Sequence, residues 1–353
     1  MNRELLKKET LTLLQQMIAI PSFSREEAAV ANLMQQWLTN KGIAVHRQGN
    51  NLWIESPHAR QGKKVILLNS HLDTVKPAAG YCRNPFSAEI AEGKLFGLGS
   101  NDAGGALISL LTAFLILSEK CQPYHLIFAA TAEEEVSGKN GVESILPLLG
   151  PIDFGIVGEP TQMKMAVAEK GLMVLDCTTQ GVSGHAARDE GVNAIYTALP
   201  DIEWFRTSRF EKKSDLLGPV KMSVTQIQAG TQHNVVPDQC HFVVDVRFNE
   251  CYRNTEILDT VRKNVNCTVA PRSLRINSSS IPLNHPFVKR GTHCGISHYG
   301  SPTTSDQALM PFTTIKMGPG DSARSHTADE FIFLEEILRA PDIYIDLLDQ
   351  LEI

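Results

Sequence analysis

Val65-Ile66-Leu67-Leu68-Asn69-Ser70-His71-Leu72-Asp73-Thr74 is the stretch whose reading decides the fold. Four consecutive apolar residues, half of them β-branched, give the pattern of a strand buried on both faces, as in a parallel sheet covered by helices. The strand stops at a polar pair, His71 and Asp73. In an open α/β sheet the ligand site lies beyond the carboxyl ends of the strands. A histidine there can ligate a metal, and a carboxylate two residues on can hold its ring in one tautomer. Alone, the pair reads better as a loop-capping histidine and a turn-starting aspartate.

Other segments change that reading. His125–Thr131 runs into Glu133-Glu134-Glu135, and Phe154–Gly158 into Glu159-Pro160. Thr313–Met317 leads through Gly318-Pro319-Gly320 to Ser325-His326. Four distant apolar segments thus deliver a histidine or a carboxylate at the same kind of position, which a random surface cluster would not do. Gly97-Leu98-Gly99-Ser100-Asn101-Asp102-Ala103-Gly104-Gly105 adds Asp102 at the start of a helix predicted to reach about Ser118. That glycine run lacks the Lys-Ser/Thr of a P-loop and the spacing of a dinucleotide fingerprint, so it does not read as a nucleotide site.

Working outward, Leu11, Leu14 and Ile18 share one face of a first helix. Ser24 and Glu27 have the spacing of a capping box for a second, which buries Val30, Leu33, Met34, Trp37 and Leu38. Short strands are predicted near 43–47 and 52–56. From about Met165 the pattern changes to alternation, as in Cys240-His241-Phe242-Val243-Val244-Asp245-Val246-Arg247. Strands are predicted near 167–178, 220–227, 240–248 and 274–277, with helices near 192–207 and 254–263. That is an antiparallel sheet with helices on one face. The expected architecture is therefore α/β: a mixed, largely parallel sheet flanked by helices, formed by residues 1–164 and 279–353. Residues 165–278 form an inserted α+β domain, on connectors near 160–164 and 278–286 that could hinge.

Composition excludes several classes. The 353 residues carry a net charge of −6, with 42% hydrophobic and 20% charged residues. There is no basic stripe for nucleic acid, no expected membrane span, and a first segment too charged for a signal peptide. Seven scattered cysteines without a Cys-x-x-Cys pair argue against a disulfide framework or a thiolate zinc site. A reduced, cytoplasmic protein is expected.

His71, Asp102, Glu135, Glu159 and His326 make a nitrogen-and-oxygen set suited to zinc, cobalt or manganese. Five ligands exceed what one catalytic metal needs, and two metals sharing a carboxylate fit better. Three carboxylates against two dications leave about +1, which a bridging hydroxide neutralises. A carboxylate that is not a ligand must then take the water's proton and pass it to the leaving amine, and Glu134 is the candidate.

In their order and spacing, His71-Leu72-Asp73, Gly99-Ser100-Asn101-Asp102, Glu133-Glu134-Glu135, Gly158-Glu159-Pro160 and Ser325-His326 resemble the co-catalytic zinc amidohydrolases. That family includes acetylornithine deacetylase, succinyl-diaminopimelate desuccinylase and carboxypeptidase G-type enzymes. The resemblance covers nearly the whole chain and is strongest to acetylornithine deacetylase-like members. It implies two Zn2+ (or Co2+ or Mn2+) bridged by Asp102, with His71 and Glu159 completing one site and Glu135 and His326 the other. It further implies that Asp73 orients His71 and that Glu134 is general base and acid. Gly184-His185-Ala186-Ala187 resembles the family's lid motif, whose histidine reaches the active site of the other subunit, implying a homodimer through the insert. Asn234, Arg247, Thr304 (in Thr304-Ser305-Asp306) and Gly320 match substrate-binding positions.

The implied reaction removes an N-acetyl or N-succinyl group from ornithine or a related amino acid, as in arginine biosynthesis. Succinyl-diaminopimelate, N-acetyllysine and dipeptides are the alternatives. Two departures, no lysine in Asp102-Ala103-Gly104-Gly105 and Glu133 where many members have aspartate, bear on substrate rather than mechanism. Arg247 reads equally as a strand residue paired with Asp245 or Glu250. Lys170 and Arg188 could each meet an acyl carboxylate or a surface partner.

Overall fold

The computed structural model describes residues 2–188 and 190–353. The chain divides into two compact units: one of residues up to Val167 with Ser280–Tyr299 and Ser305–Ile353, the other of Ala168–Ser279 with Gly300–Thr304.

The first unit begins with α1 (Arg3–Ile18) and α2 (Ala28–Asn40), followed by β1 (His46–Gln48), β2 (Asn51–Glu55) and β3 (Lys64–His71). A small three-stranded sheet is made by β4 (Ile90–Ala91), β5 (Lys94–Phe96) and a late strand at Phe331–Phe333. An irregular turn at Ser100–Gly104 opens α3 (Gly105–Leu117), and β6 (Tyr124–Thr131), α4 (Val142–Leu149), β7 (Phe154–Val157) and β8 (Met165–Glu169) follow. β3 lies between β6 and β7 and is parallel to both. The strand at Thr313–Lys316 is parallel to β7 on its other side, and β2 closes antiparallel on β6. The sheet is thus mixed and largely parallel at its centre, as the unbroken apolar runs require. All eight residues of β6 are buried. The last helix, Leu334–Leu348, packs against α3, and its Asp342 pairs with Lys7 of α1 at 2.6 Å.

α3 corrects the reading that no run is long enough for a membrane. Together with the turn before it, α3 makes an 18-residue stretch, Ser100–Leu117, with a mean hydropathy of 1.4, and all thirteen residues of α3 are buried inside the unit. It is apolar all round because it is a core helix. The capping box is also corrected. Glu27 occupies the N-cap of α2 but makes no side-chain cap bond, and Ser24 donates instead to Asp73.

The second unit is a four-stranded antiparallel sheet in the order β10 (Lys221–Ala229), β11 (Gln239–Phe248), β9 (Gly171–Gln180), β12 (Thr268–Pro271). β9 alternates buried and half-buried positions, so one face is covered. Ala194, Ala198 and Phe205 of α5 (Ala194–Thr207) and Ile257, Leu258 and Val261 of α6 (Asn254–Asn264) cover it. The predicted strand at 274–277 is replaced by β12. Buried Val269 lies opposite Cys177 of β9, while 274–277 is a loop whose Leu274 carbonyl accepts the Asn254 amide.

Candidate active site

Each strand end of the first unit brings one part of the cluster. His71, the last residue of β3, is 2% exposed. Its Nδ1 lies 2.8 Å from the Asp73 carbonyl oxygen and 3.5 Å from Asp73 Oδ1. That pairing puts the ring proton on Nδ1 and presents Nε2 as a lone pair. Nε2 is buried without a hydrogen-bond partner, and so is Glu159 Oε1, which stands 3.8 Å away just beyond β7.

Asp102, on the turn before α3, faces both ways. Oδ1 is 3.4 Å from His71 Nε2, and Oδ2 is 3.7 Å from His326 Nε2. His326 Nε2 is 3.0 Å from Glu135 Oε2. The cluster therefore has two lobes with Asp102 between them. Ligand atoms of His71, Asp102 and Glu135, and likewise of His71, Glu134 and Glu159, all lie within 4.8 Å of one another.

The electrostatics of this arrangement call for cations. Burial, and then the charge of Asp102, push the Glu159 carboxyl up to about 8. Burial and Glu159 drive Glu134 well above the usual carboxylate range. His71 goes up despite its burial, because Asp102, Asp73 and further carboxylates surround it. His326 is raised to about 9, chiefly by its bond to Glu135. Carboxylates crowded this closely resist ionising together unless positive charge is supplied. Two orphaned buried atoms facing each other, in an all N/O donor set, fit divalent cations.

Asp73 does more than orient a ring. Its Oδ1 accepts the Glu134 backbone N–H at 3.0 Å, and its Oδ2 accepts that of Glu135 at 3.2 Å and the Ser24 hydroxyl at 2.7 Å. Despite burial, these donors and His71 hold its carboxyl below the usual range.

Three buried charges here escaped the sequence reading as site residues. Glu330 accepts the backbone N–H groups of Asn101 and Asp102, each at 2.9 Å. Burial and then Asp102 push its carboxyl up to about 8. Glu27 reaches the Glu133 N–H at 3.2 Å. Lys316 is 3% exposed, and its charge partly offsets the rise at Glu159. Lys316 alone carried a signal, a cation inside an apolar strand. Gly320 has φ +88°, and a Cβ there would come within 2.5 Å of Asn101 Oδ1. Asn101 Oδ1 accepts the Asp321 N–H at 3.0 Å, which staples that loop to the turn bearing Asp102.

The inserted unit places its candidates differently. His185 pairs in a β-bridge with Val235, and Ala186 N donates to Asn234 O at 3.0 Å. The lid-like loop and Asn234 are therefore neighbours, and both residues are exposed. Arg247 is paired with Asp245 at 2.9 Å, as its alternative reading required. Thr304, matched to the catalytic side, belongs to this unit, where its hydroxyl donates to the Lys170 carbonyl at 3.0 Å. Its neighbour Asp306 stays in the first unit and accepts from Thr131 at 3.0 Å. Lys170 lies below the usual lysine range through burial and the charges of Lys221 and Arg247.

Comparison with known proteins agrees with this geometry. Succinyl-diaminopimelate desuccinylase of Buchnera aphidicola is 26% identical over 97% of this chain and 98% of that protein. The desuccinylase of Stenotrophomonas maltophilia is 26% identical over 95% and 97%. Both relatives carry the name of the alternative reading, succinyl-diaminopimelate desuccinylase, and not that of acetylornithine deacetylase. The fold is that of aminopeptidase PepT from Bacillus cereus, with a TM-score of 0.76 and 19% identity over 99% of both chains. It is also that of the YxeP protein of Bacillus subtilis, described as a dinuclear metal-binding peptidase, with a TM-score of 0.74 and 15% identity over 98% of both. The model of Peptidase family M20/M25/M40 matches residues 67–350, from the middle of β3 to the end of the last helix, and the chain is a metal-dependent hydrolase belonging to that family.

Proposed function

We propose that this chain hydrolyses the amide bond of an N-acyl amino acid, with a succinyl group as its acyl group. The observation that carries the hydrolytic part is Asp102 standing between His71 and His326, with Glu134 beside the lobe of His71 and Glu159. In this reading His71 and Glu159 would hold one divalent cation and Glu135 and His326 the other, with Asp102 serving both. Zinc, cobalt and manganese all suit the donor set. When bound, the cations supply a Lewis acid for the scissile carbonyl and acidify a water. Glu134 would take a proton from the attacking water and deliver it to the leaving amine. Asp73 keeps His71 in one tautomer and holds the backbone on which Glu134 sits.

Two observations support an anionic acyl group. Three relatives that span the chain carry the name succinyl-diaminopimelate desuccinylase. Lys170, Lys221 and Arg247 gather in the inserted unit, where burial and then the charges of the other two hold Lys170 below the usual lysine range, and Arg247 is paired with Asp245. Lys170 is then the cation that meets the acyl carboxylate. Asn234, Thr304, Gly320 and Arg247 remain the proposed substrate-binding positions, with His185 holding the developing oxyanion.

A homodimer through the inserted unit belongs to the same reading. β10 is an edge strand with one neighbour, and Ile227, Tyr196 and Leu199 are 53%, 70% and 52% exposed. An uncovered edge beside exposed apolar side chains is a pairing surface. Ile227→Lys is expected to shift the chain from dimer to monomer in light scattering; a wild-type monomer would end this part of the reading.

The deciding experiment is a panel of acetyl and succinyl forms of ornithine, citrulline, lysine and diaminopimelate, with dipeptides beside them. Turnover of succinyl substrates well above their acetyl forms is expected. Turnover of dipeptides alone would replace the reading with a peptidase.

A further inference from the structure

Three successive backbone N–H groups of the acidic turn each end on a buried carboxylate. Glu134 N and Glu135 N donate to Asp73, and Glu133 N donates to Glu27 Oε1. Glu27 is fully buried, yet it caps nothing, since its side chain bonds no N–H of the helix it begins. Its other partners are Arg25 N at 2.5 Å on Oε1 and Asn50 Nδ2 at 2.9 Å on Oε2. Both come from outside the acidic turn. The same segment reaches the turn a second way, because Ser24 donates to Asp73 Oδ2 at 2.7 Å. It is itself tied down where Thr74 N donates to Ser22 O at 2.9 Å and Phe23 bridges Thr74.

The turn needs holding. Glu133 has φ +56° and Ser137 φ +45°, left-handed conformations that a side-chain-bearing residue keeps only when its surroundings enforce them. A bond on Glu133 N fixes the first of these residues, from which Glu134 and Glu135 project.

We propose that Glu27 is a positioning residue: through the Glu133 N–H it sets where the Glu134 and Glu135 carboxylates stand, and Ser22–Glu27 is a strap across the acidic turn. This rests on the proposed roles of Glu134 and Glu135, and its test has an arm that does not.

The test compares Glu27→Ala, Glu27→Gln and Asn50→Ala in the metal-loaded chain. Glutamine keeps an oxygen acceptor for Glu133 N, and Asn50→Ala removes the outer partner without touching the turn. In Glu27→Ala, amide hydrogen exchange across residues 132–137 is expected to speed up about tenfold or more, with the last helix unchanged. With the substrate that the panel identifies, kcat is expected to fall about 10- to 100-fold and KM to stay within about twofold. Glu27→Gln and Asn50→Ala are expected to keep both readouts within about threefold of wild type. If Glu27→Ala does not fold, Glu27→Asp, which withdraws the acceptor and keeps the charge, takes its place with the same expectations. Unchanged exchange in the folded variant, or a glutamine variant as impaired as alanine, overturns the proposal. If wild type turns over nothing in the panel, the exchange arm decides this inference by itself, and only the hydrolase reading falls.

Discussion

The candidate residues of the two units are held in opposite ways. In the first unit His71, Asp73, Glu27 and Glu330 are buried, and all but His71 accept backbone N–H groups from the loops that carry the cluster. In the inserted unit His185 and Asn234 are exposed and share one pair of loops, tied by the backbone bridge between His185 and Val235. The first arrangement is fixed by buried backbone and side-chain bonds of the fold itself. The second is a platform with nothing yet to grip. Precision sits where charge must be balanced within a short radius, and mobility is affordable where a substrate must enter.

Removing the cations should break this contrast most completely. With a chelator, activity is expected to be lost entirely. The first unit is then left with its crowd of buried carboxylates uncompensated, and its unfolding transition should move down. Ligand linkage sets the scale at about 4 kcal/mol for cations present at a thousandfold over Kd. The inserted unit, whose candidates bind no cation, should unfold as before. Calorimetry with metal analysis checks this, and an unmoved first transition would mean the carboxylates do not need the metals. Next in size is Glu134→Gln, expected to lower kcat by about 10²- to 10⁴-fold while metal content and thermal stability stay as in wild type. Loss of metal in that variant would make Glu134 a ligand rather than a base.

How much of this was legible in the sequence follows the same division. The buried strands, with His71, Glu135 and Glu159 at or just beyond their ends, could be read because an unbroken apolar run that stops at histidine or glutamate is a local pattern; Asp102, on the turn before α3, and His326, well past the strand Thr313–Lys316, were legible only through the order of the motifs. Glu27 and Glu330 could not be read, because each acts on a backbone N–H more than 100 residues away, and no periodicity encodes such a partner. Ser24 and Glu27 mislead for the same reason: their spacing is that of a helix cap, but their bonds go to Asp73 and Glu133. In the insert, alternation gave the sheet and helices. It missed β12, whose four residues are ordered by pairing with β9 rather than by their own pattern.

His185→Ala sharpens the comparison at the next scale. The exposed His185 side chain makes one local bond, accepting the Ala187 N–H at 3.2 Å, so thermal stability and metal content should change little, while kcat falls about a hundredfold if the imidazole meets the oxyanion. Mixing this variant with Glu134→Gln copies should restore part of the activity if the histidine serves a second copy's active site. No recovery, in a mixture shown to exchange subunits, would confine His185 to its own chain.

The smallest expected effect concerns selectivity. Acetyl and succinyl substrates differ by one carboxylate, so only a cation placed for it can tell them apart. Lys170 has its carbonyl fixed by Thr304 and lies near Lys221 and Arg247. Lys170→Met keeps the aliphatic stem and removes the charge. It is expected to lower kcat/KM for the succinyl substrate about tenfold, the worth of one partly solvated charge pair with a hydrogen bond, and to leave the acetyl substrate within about twofold. Equal losses on both substrates would instead give Lys170 a part in binding common to all acyl amino acids. The anionic preference would then have to come from another cation, with Lys221 the first to test because it lies opposite Arg247 across β10 and β11.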